Sequence, residues 1–174
     1  MLDADQLVFR RLDDLFMYRM TEGKPFMAPA ASWSSPDTIA SNLLLVAPST
    51  DLFSTIQKEL EGIKPEYDTA FLNRLFSANI TRLPGSYVVL NSIFEKNNPP
   101  TWVDRNSPMN ETLWRLYRHN THIMHFSVVQ KPWISKSLPP EVNKTAPHST
   151  FKRGFDIWWE LKEMVLSGEG ERWV

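Results

Sequence analysis

A mixed α/β fold is what this sequence predicts, and three observations predict it. Short continuous apolar runs of strand length recur, at Leu43-Leu44-Leu45-Val46, Tyr87-Val88-Val89-Leu90 and Ile123-Met124-His125-Phe126. Between them lie stretches whose apolar residues repeat at helical spacing, as in Leu52, Phe53, Ile56 and Leu60 or Phe71, Leu72, Leu75 and Phe76. A strand repeats every two residues and a helix every 3.6, so the two patterns name different elements. No internal repeat or shift of composition divides the chain, which reads as one domain over 1–174.

The elements follow in order. Residues 2–9 read as the tail of a buried strand, Arg10 to Asp14 as a polar turn, and Leu15-Phe16-Met17 as packing back on the core. Lys24 to Pro36 carry three prolines and read as a loop anchored by Phe26 and Trp33. Ile39 to Val46 read as a buried strand. A helix then starts, with Ser49 or Thr50 able to accept a bond from its free N–H groups and Asp51 suited to its positive end; Gly62 is expected to stop it. Tyr67 to Phe76 give a second helix, and Ile80 to Leu90 a strand around Pro84-Gly85. A polar loop over 97–108 precedes a short helix over Leu113 to Tyr117. His122 to Phe126 alternate as a strand does, and Pro132 closes that segment because proline cannot continue a central strand. A loop with three prolines runs from Ser135 to Ser149. Phe151 to Leu166 form an amphipathic helix carrying Phe155, Trp158, Trp159 and Val165, ended by Gly168 and Gly170.

Composition narrows the function. The chain has 174 residues, 42% of them hydrophobic and 22% charged, an ordinary globular balance. A formal net charge of -1 advertises no nucleic acid and no anionic membrane surface. The absence of cysteine excludes disulfides and thiolate chemistry. No membrane span is legible. Three Asn-x-Ser/Thr sequons, at Asn79, Asn110 and Asn143, weigh lightly toward a secretory lumen. Seven tryptophans and thirteen prolines suit either an aromatic core or long ordered loops lining a cleft.

The chemistry concentrates in a few positions. Asp3 and Asp5 flank the small Ala4 in Leu2-Asp3-Ala4-Asp5. In extended backbone, residues i and i+2 point to the same side, so two carboxylates can converge on one hard cation such as Mg²⁺ or Mn²⁺. Alone, such a pair is better read as a solvated acidic turn. His125 should stand at a strand end, where a histidine is either a ligand or a satisfied core residue. His122 falls on the opposite side of an extended strand and is not expected to share a ligand set with it. Lys131, held by Pro132, is placed to neutralise a phosphate. Asp68 stands in the first turn of a helix, where a carboxylate also suits the helix dipole.

Together these residues resemble one family. Leu2-Asp3-Ala4-Asp5 through Asp13-Asp14-Leu15-Phe16 is similar to a signature of the glycogenin-like, family 8 retaining glycosyltransferases. His125-Phe126-Ser127-Val128-Val129-Gln130-Lys131-Pro132-Trp133 resembles that family's H-F-x-G-x-x-K-P-W, and Asp68-Thr69-Ala70-Phe71-Leu72-Asn73 its D-Q-G-x-x-N. Leu83-Pro84 followed by Tyr87 resembles the strand after that motif, and Phe155 to Leu161 its closing helix. Fungal nucleotide-sugar transferases, N-acetylglucosaminyltransferases among them, are similar in feel.

The resemblance implies a GT-A, Rossmann-like nucleotide-diphospho-sugar transferase fold: a mixed sheet flanked by helices, here expected to lack its first strands and helices. It implies a metal-dependent transfer of a hexosyl or N-acetylglucosaminyl group from a nucleotide-diphosphate sugar, expected to be a UDP-sugar, with retention. Mn²⁺ would be held by Asp3, Asp5 and His125. Asp3, Ala4, Asp5, Asn42, Asp68 and Lys131 would bind the donor, with Asp68 beside the sugar. The acceptor, glycan or protein, is left open; the compartment is Golgi lumen or cytoplasm, and a homodimer is admitted. Thr69, Ala70 and Val128 replace the family's glutamine and two glycines, and Asn42 stands off the position of its sugar-contacting asparagine. No tyrosine lies between Tyr87 and Tyr117, which disfavours self-glucosylation there. Two other readings stay open: a truncated or degenerate glycosyltransferase-like module that binds without turnover, and a metal-dependent phosphohydrolase.

Overall fold

A computed structural model describes residues 1–35, 37–61, 66–128, 130–138 and 146–168. Gly62, Val129, the sequon at Asn143 and Gly170 lie outside the described residues. Among the described residues, six strands are formed: β1 (Gln6–Val8), β2 (Phe26–Pro29), β3 (Leu45–Val46), β4 (Ile80–Leu83), β5 (Val88–Leu90) and β6 (Ile123–His125). The helices are α1 (Thr50–Leu60), α2 (Asp68–Phe76), α3 (Ser92–Glu95), α4 (Met109–Arg115) and α5 (Ser149–Leu166). The chain divides into two compact units, Met1–Ala4 with Arg10–Val88 and Asp5–Phe9 with Val89–Val174.

The first unit is built on a sheet in the order β3-β2-β4, with β2 antiparallel to β3 and parallel to β4. Its centre corrects the sequence reading. Residues 26–29, expected within a loop, form the fully buried middle strand. Pro29 is tolerated because it sits at the strand end and uses only its carbonyl, which accepts from Ala40 N at 2.8 Å. Ile39 to Val46 are largely buried as expected, but regular pairing is confined to Leu45–Val46 and single bridges at Ile39 and Leu43.

Helix α1 begins as predicted: Ser49 Oγ accepts from Leu52 N at 3.1 Å. Its core face is narrower than its apolar pattern. Leu52 and Ile56 pack on Phe26, Phe76 and Ile80, while Phe53 and Leu60 are exposed. The same correction applies to the turn over Asp13–Met17: Leu15 is buried, but Phe16 and Met17 face solvent. That turn is fastened by Asp14, whose carboxylate accepts from the Tyr87 hydroxyl. Burial, then this bond, holds the Tyr87 phenol well above its ordinary pKa.

The second unit carries the sheet β1-β6-β5. In it, β1 runs antiparallel to β6 with Gln6 opposite His125 and Leu7 opposite Met124. Phe94, Leu113, Leu116, Met124, Phe126, Phe151 and Phe155 form the core beneath it. Helix α4 begins at Met109, earlier than its pattern suggested, and passes into a π-helical turn over Leu116–Asn120. Thr121 closes that turn: its backbone N and its hydroxyl both donate to Leu116 O at 3.0 Å. Helix α5 keeps a glycine in its middle, normally a cost of about 1 kcal/mol against alanine. Space explains it, because a Cβ on Gly154 would stand 2.8 Å from Met124 Sδ on β6.

The start of α5 is held by His148. Its Nδ1 accepts from Thr150 N at 3.2 Å, so the proton lies on Nε2, which donates to Asn110 O at 3.1 Å. Burial lowers the His148 pKa below its ordinary 6.5. As pH falls through about 6.5, the unfolded chain takes the proton first. This contribution to stability is therefore complete above that pH and is lost as pH falls through the lowered folded-state value. Denaturant midpoints between pH 7.5 and 5 should drop more steeply in the native chain than in His148→Asn, which keeps a capping side chain without the titration.

Candidate functional site

The second unit brings together three of the residues singled out by sequence. The ladder between β1 and β6 runs one step past its regular strands, where Phe126 N donates to Asp5 O at 2.9 Å. This fixes Asp5 beside the end of β6. One of its carboxylate oxygens, Oδ1, lies 3.3 Å from His125 Nδ1. The other, Oδ2, receives a 2.9 Å bond from Lys131 Nζ. The same ammonium donates to the Phe126 carbonyl. All three side chains are largely withdrawn from solvent, at 27% exposure for Asp5, 14% for His125 and 22% for Lys131.

Local structure supports each of these positions. Pro132 and Trp133 follow Lys131, and the Trp133 ring lies 5.8 Å from its Nζ while packing edge-on against Phe126. On the other side, Asn91 N donates to His125 O at 2.9 Å. The Asn91 side chain, fully buried, accepts from Ser127 N at 2.8 Å through Oδ1 and from Ser127 Oγ at 3.2 Å. Asn91 thus holds the backbone on both sides of Phe126. Sequence reading missed it; only its position at the end of the β5 run, where a buried amide must find partners, could have drawn notice.

The other predicted residues belong to the first unit. Asp3 N donates to Asn42 O at 3.2 Å, and Asn42 Nδ2 donates to Asp3 Oδ2 at 3.0 Å. Asn42 is thereby paired with a predicted ligand. Ala4 is exposed. Asp68 is exposed in the first turn of α2, its Oδ1 accepting from Thr69 N at 2.8 Å. The residues after it have structural work of their own. Asn73 Oδ1 accepts from Ile39 N at 2.8 Å and its Nδ2 donates to Ile39 O at 2.9 Å, while the hydroxyls of Thr69 and Ser41 pair. Helix α2 is thus clamped to the 39–41 segment that leads into Asn42.

A carboxylate that already holds an ammonium, with an imidazole nitrogen beside it, stabilises positive charge. Carboxylate oxygen with imidazole nitrogen also suits a borderline divalent ion such as Mn²⁺. Among the described residues, no helix is long and apolar enough to cross a membrane.

No protein-family model and no curated protein sequence matches the chain. Solved structures do. The apo form of the glycosyltransferase GlyE from Streptococcus pneumoniae TIGR4 is similar over 92% of this chain and 42% of its own, at 17% identity and a TM-score of 0.57. The bifunctional glycosyltransferase WbbM is similar over 76% of this chain and 29% of its own, at 14% identity and a TM-score of 0.53. The chain spans less than half the length of either. At these identities the likeness is one of fold, and it gives this chain the mixed α/β fold of GT-A glycosyltransferases.

Proposed function

We propose that the chain carries the metal- and diphosphate-binding site of a retaining glycosyltransferase that uses a nucleotide-diphosphate sugar, with UDP as the nucleotide. The observation that carries this reading is the Asp5, His125 and Lys131 cluster, set by the β1–β6 ladder in a chain of GT-A fold. In this reading Asp3, Asp5 and His125 are the protein ligands of a Mn²⁺ ion. Asp3 is tethered to Asp5 through Ala4 alone. The bound ion would supply positive charge against the leaving diphosphate.

The chain's own residues do the rest. Lys131 places a second positive charge against the same diphosphate, where it counts most as the bond to the sugar breaks. Asp5 holds Lys131 near that position before the donor arrives. Asn42 orients Asp3, and Asp68 binds sugar hydroxyls or steadies the cation-like anomeric carbon. The glycogenin-like signatures read from sequence support this assignment of roles, and the donor sugar and acceptor follow from it only as a class.

Titration calorimetry on the chain tests the reading. Saturable Mn²⁺ binding is expected, and UDP should bind more tightly when Mn²⁺ is present than in its absence. No heat from either, in a folded sample, would sink the reading.

A further inference from the structure

We infer that Lys131 is an internal counter-ion that competes with the divalent cation for Asp5, so that metal binding releases it to the diphosphate. This rests on the metal-binding reading above and adds to it a competition between Lys131 and the metal for Asp5. The Lys131 ammonium stands 2.9 Å from Asp5 Oδ2, and Asp5 Oδ1 stands 3.3 Å from the imidazole of His125. One carboxylate thus faces both a proposed ligand and a cation from its own chain. Lys131 is tied twice, to Asp5 and to the Phe126 carbonyl.

A divalent ion on Asp5 changes the balance for Lys131 in two ways. It draws on the same carboxylate charge, and it places like charge a few ångströms from the ammonium, where repulsion is strong in a partly desolvated site. Among the described residues, the neutral Phe126 carbonyl and the Trp133 ring are then what the ammonium keeps. An anion beside the metal is the natural partner for it. A diphosphate offers that charge, and the lysine stem is long and flexible enough to turn toward it. Metal and diphosphate should therefore strengthen one another's binding, with Lys131 carrying part of the coupling.

Lys131→Met tests this with effects of opposite sign. Its Mn²⁺ affinity, measured by calorimetry without nucleotide, should rise by about tenfold, because the competitor is gone. Its UDP affinity at saturating Mn²⁺ should fall by about tenfold or more, because the diphosphate loses a charge partner. Lys131→Arg, which keeps the charge, should keep Mn²⁺ affinity near that of the native chain. In the native chain, labelling of Lys131 by acetic anhydride should increase when Mn²⁺ is added, a measurement that needs no variant to fold. Equal or weaker Mn²⁺ binding by Lys131→Met beside measurable native binding, or labelling unchanged at saturating Mn²⁺, overturns the competition and leaves the metal site standing. Native protein that binds no Mn²⁺ overturns both.

Discussion

Asp5→Ala should abolish saturable Mn²⁺ binding while leaving the protein folded. The expected loss of affinity exceeds about 100-fold, since even groups that only orient a metal ligand are worth about 10–100-fold. The structural cost should be small by comparison. The Asp5–Lys131 pair keeps about a quarter of each side chain exposed, so water screens it in part, and a loss of about 1–2 kcal/mol is expected, below the roughly 3–5 kcal/mol of breaking a fully buried pair. Lys131 keeps the Phe126 carbonyl, and the Asp5 backbone carbonyl that accepts from Phe126 N does not depend on the side chain. Calorimetry and a denaturant melt on the same sample separate the two effects. Mn²⁺ affinity unchanged in Asp5→Ala would remove this carboxylate from the metal site.

The members of this cluster are legible in sequence one at a time. The pattern singles out Asp5, His125 and Lys131 separately, and the strand it gives over residues 122–126 is the one that presents His125. What local pattern does not contain is the pairing of Asp5 with Lys131 across 126 positions of chain. That contact is made by the antiparallel ladder of β1 on β6, and a ladder between distant segments leaves no periodic mark in either one. Asn91 was missed for a related reason. An asparagine at a strand end is unremarkable until its amide is found holding the backbone of Ser127, 36 residues away.

The fold errors have physical causes as well. Phe26–Pro29 has a loop's sequence because Pro25 and Pro29 bracket it, yet a proline at a strand terminus removes only one donor and the four residues are all buried. Phe53 and Leu60 fit the apolar stripe yet face solvent, because apolar spacing gives direction around a helix, not the width of what it meets. Phe16 and Met17 are as apolar as Leu15, but in a turn of about three residues per revolution the three side chains point in different directions and only Leu15 meets the core. The cap of α1, which the sequence offers at Ser49 or Thr50 and the structure places on Ser49, is legible because a cap is a local event, completed within three residues.

Phe126→Ala should show the converse of Asp5→Ala: a large loss of stability with the site's chemistry kept. The Phe126 ring is fully buried and meets Phe155 edge-on at 5.7 Å and Trp133 at 6.3 Å. Truncating such a ring costs about 3–5 kcal/mol through lost transfer energy and the cavity left behind. A fall of about 10 °C in the melting midpoint is the corresponding expectation. The groups that Phe126 gives to the site are its backbone N–H, donated to Asp5, and its carbonyl, which accepts from Lys131. Those are fixed by the β1–β6 ladder and by Asn91, neither of which the substitution removes. Well below the lowered midpoint, Mn²⁺ affinity should therefore stay within about tenfold of the native value. Loss of binding in a sample that circular dichroism shows to be folded would mean that the ring, and not the ladder, sets the position of Asp5 and Lys131.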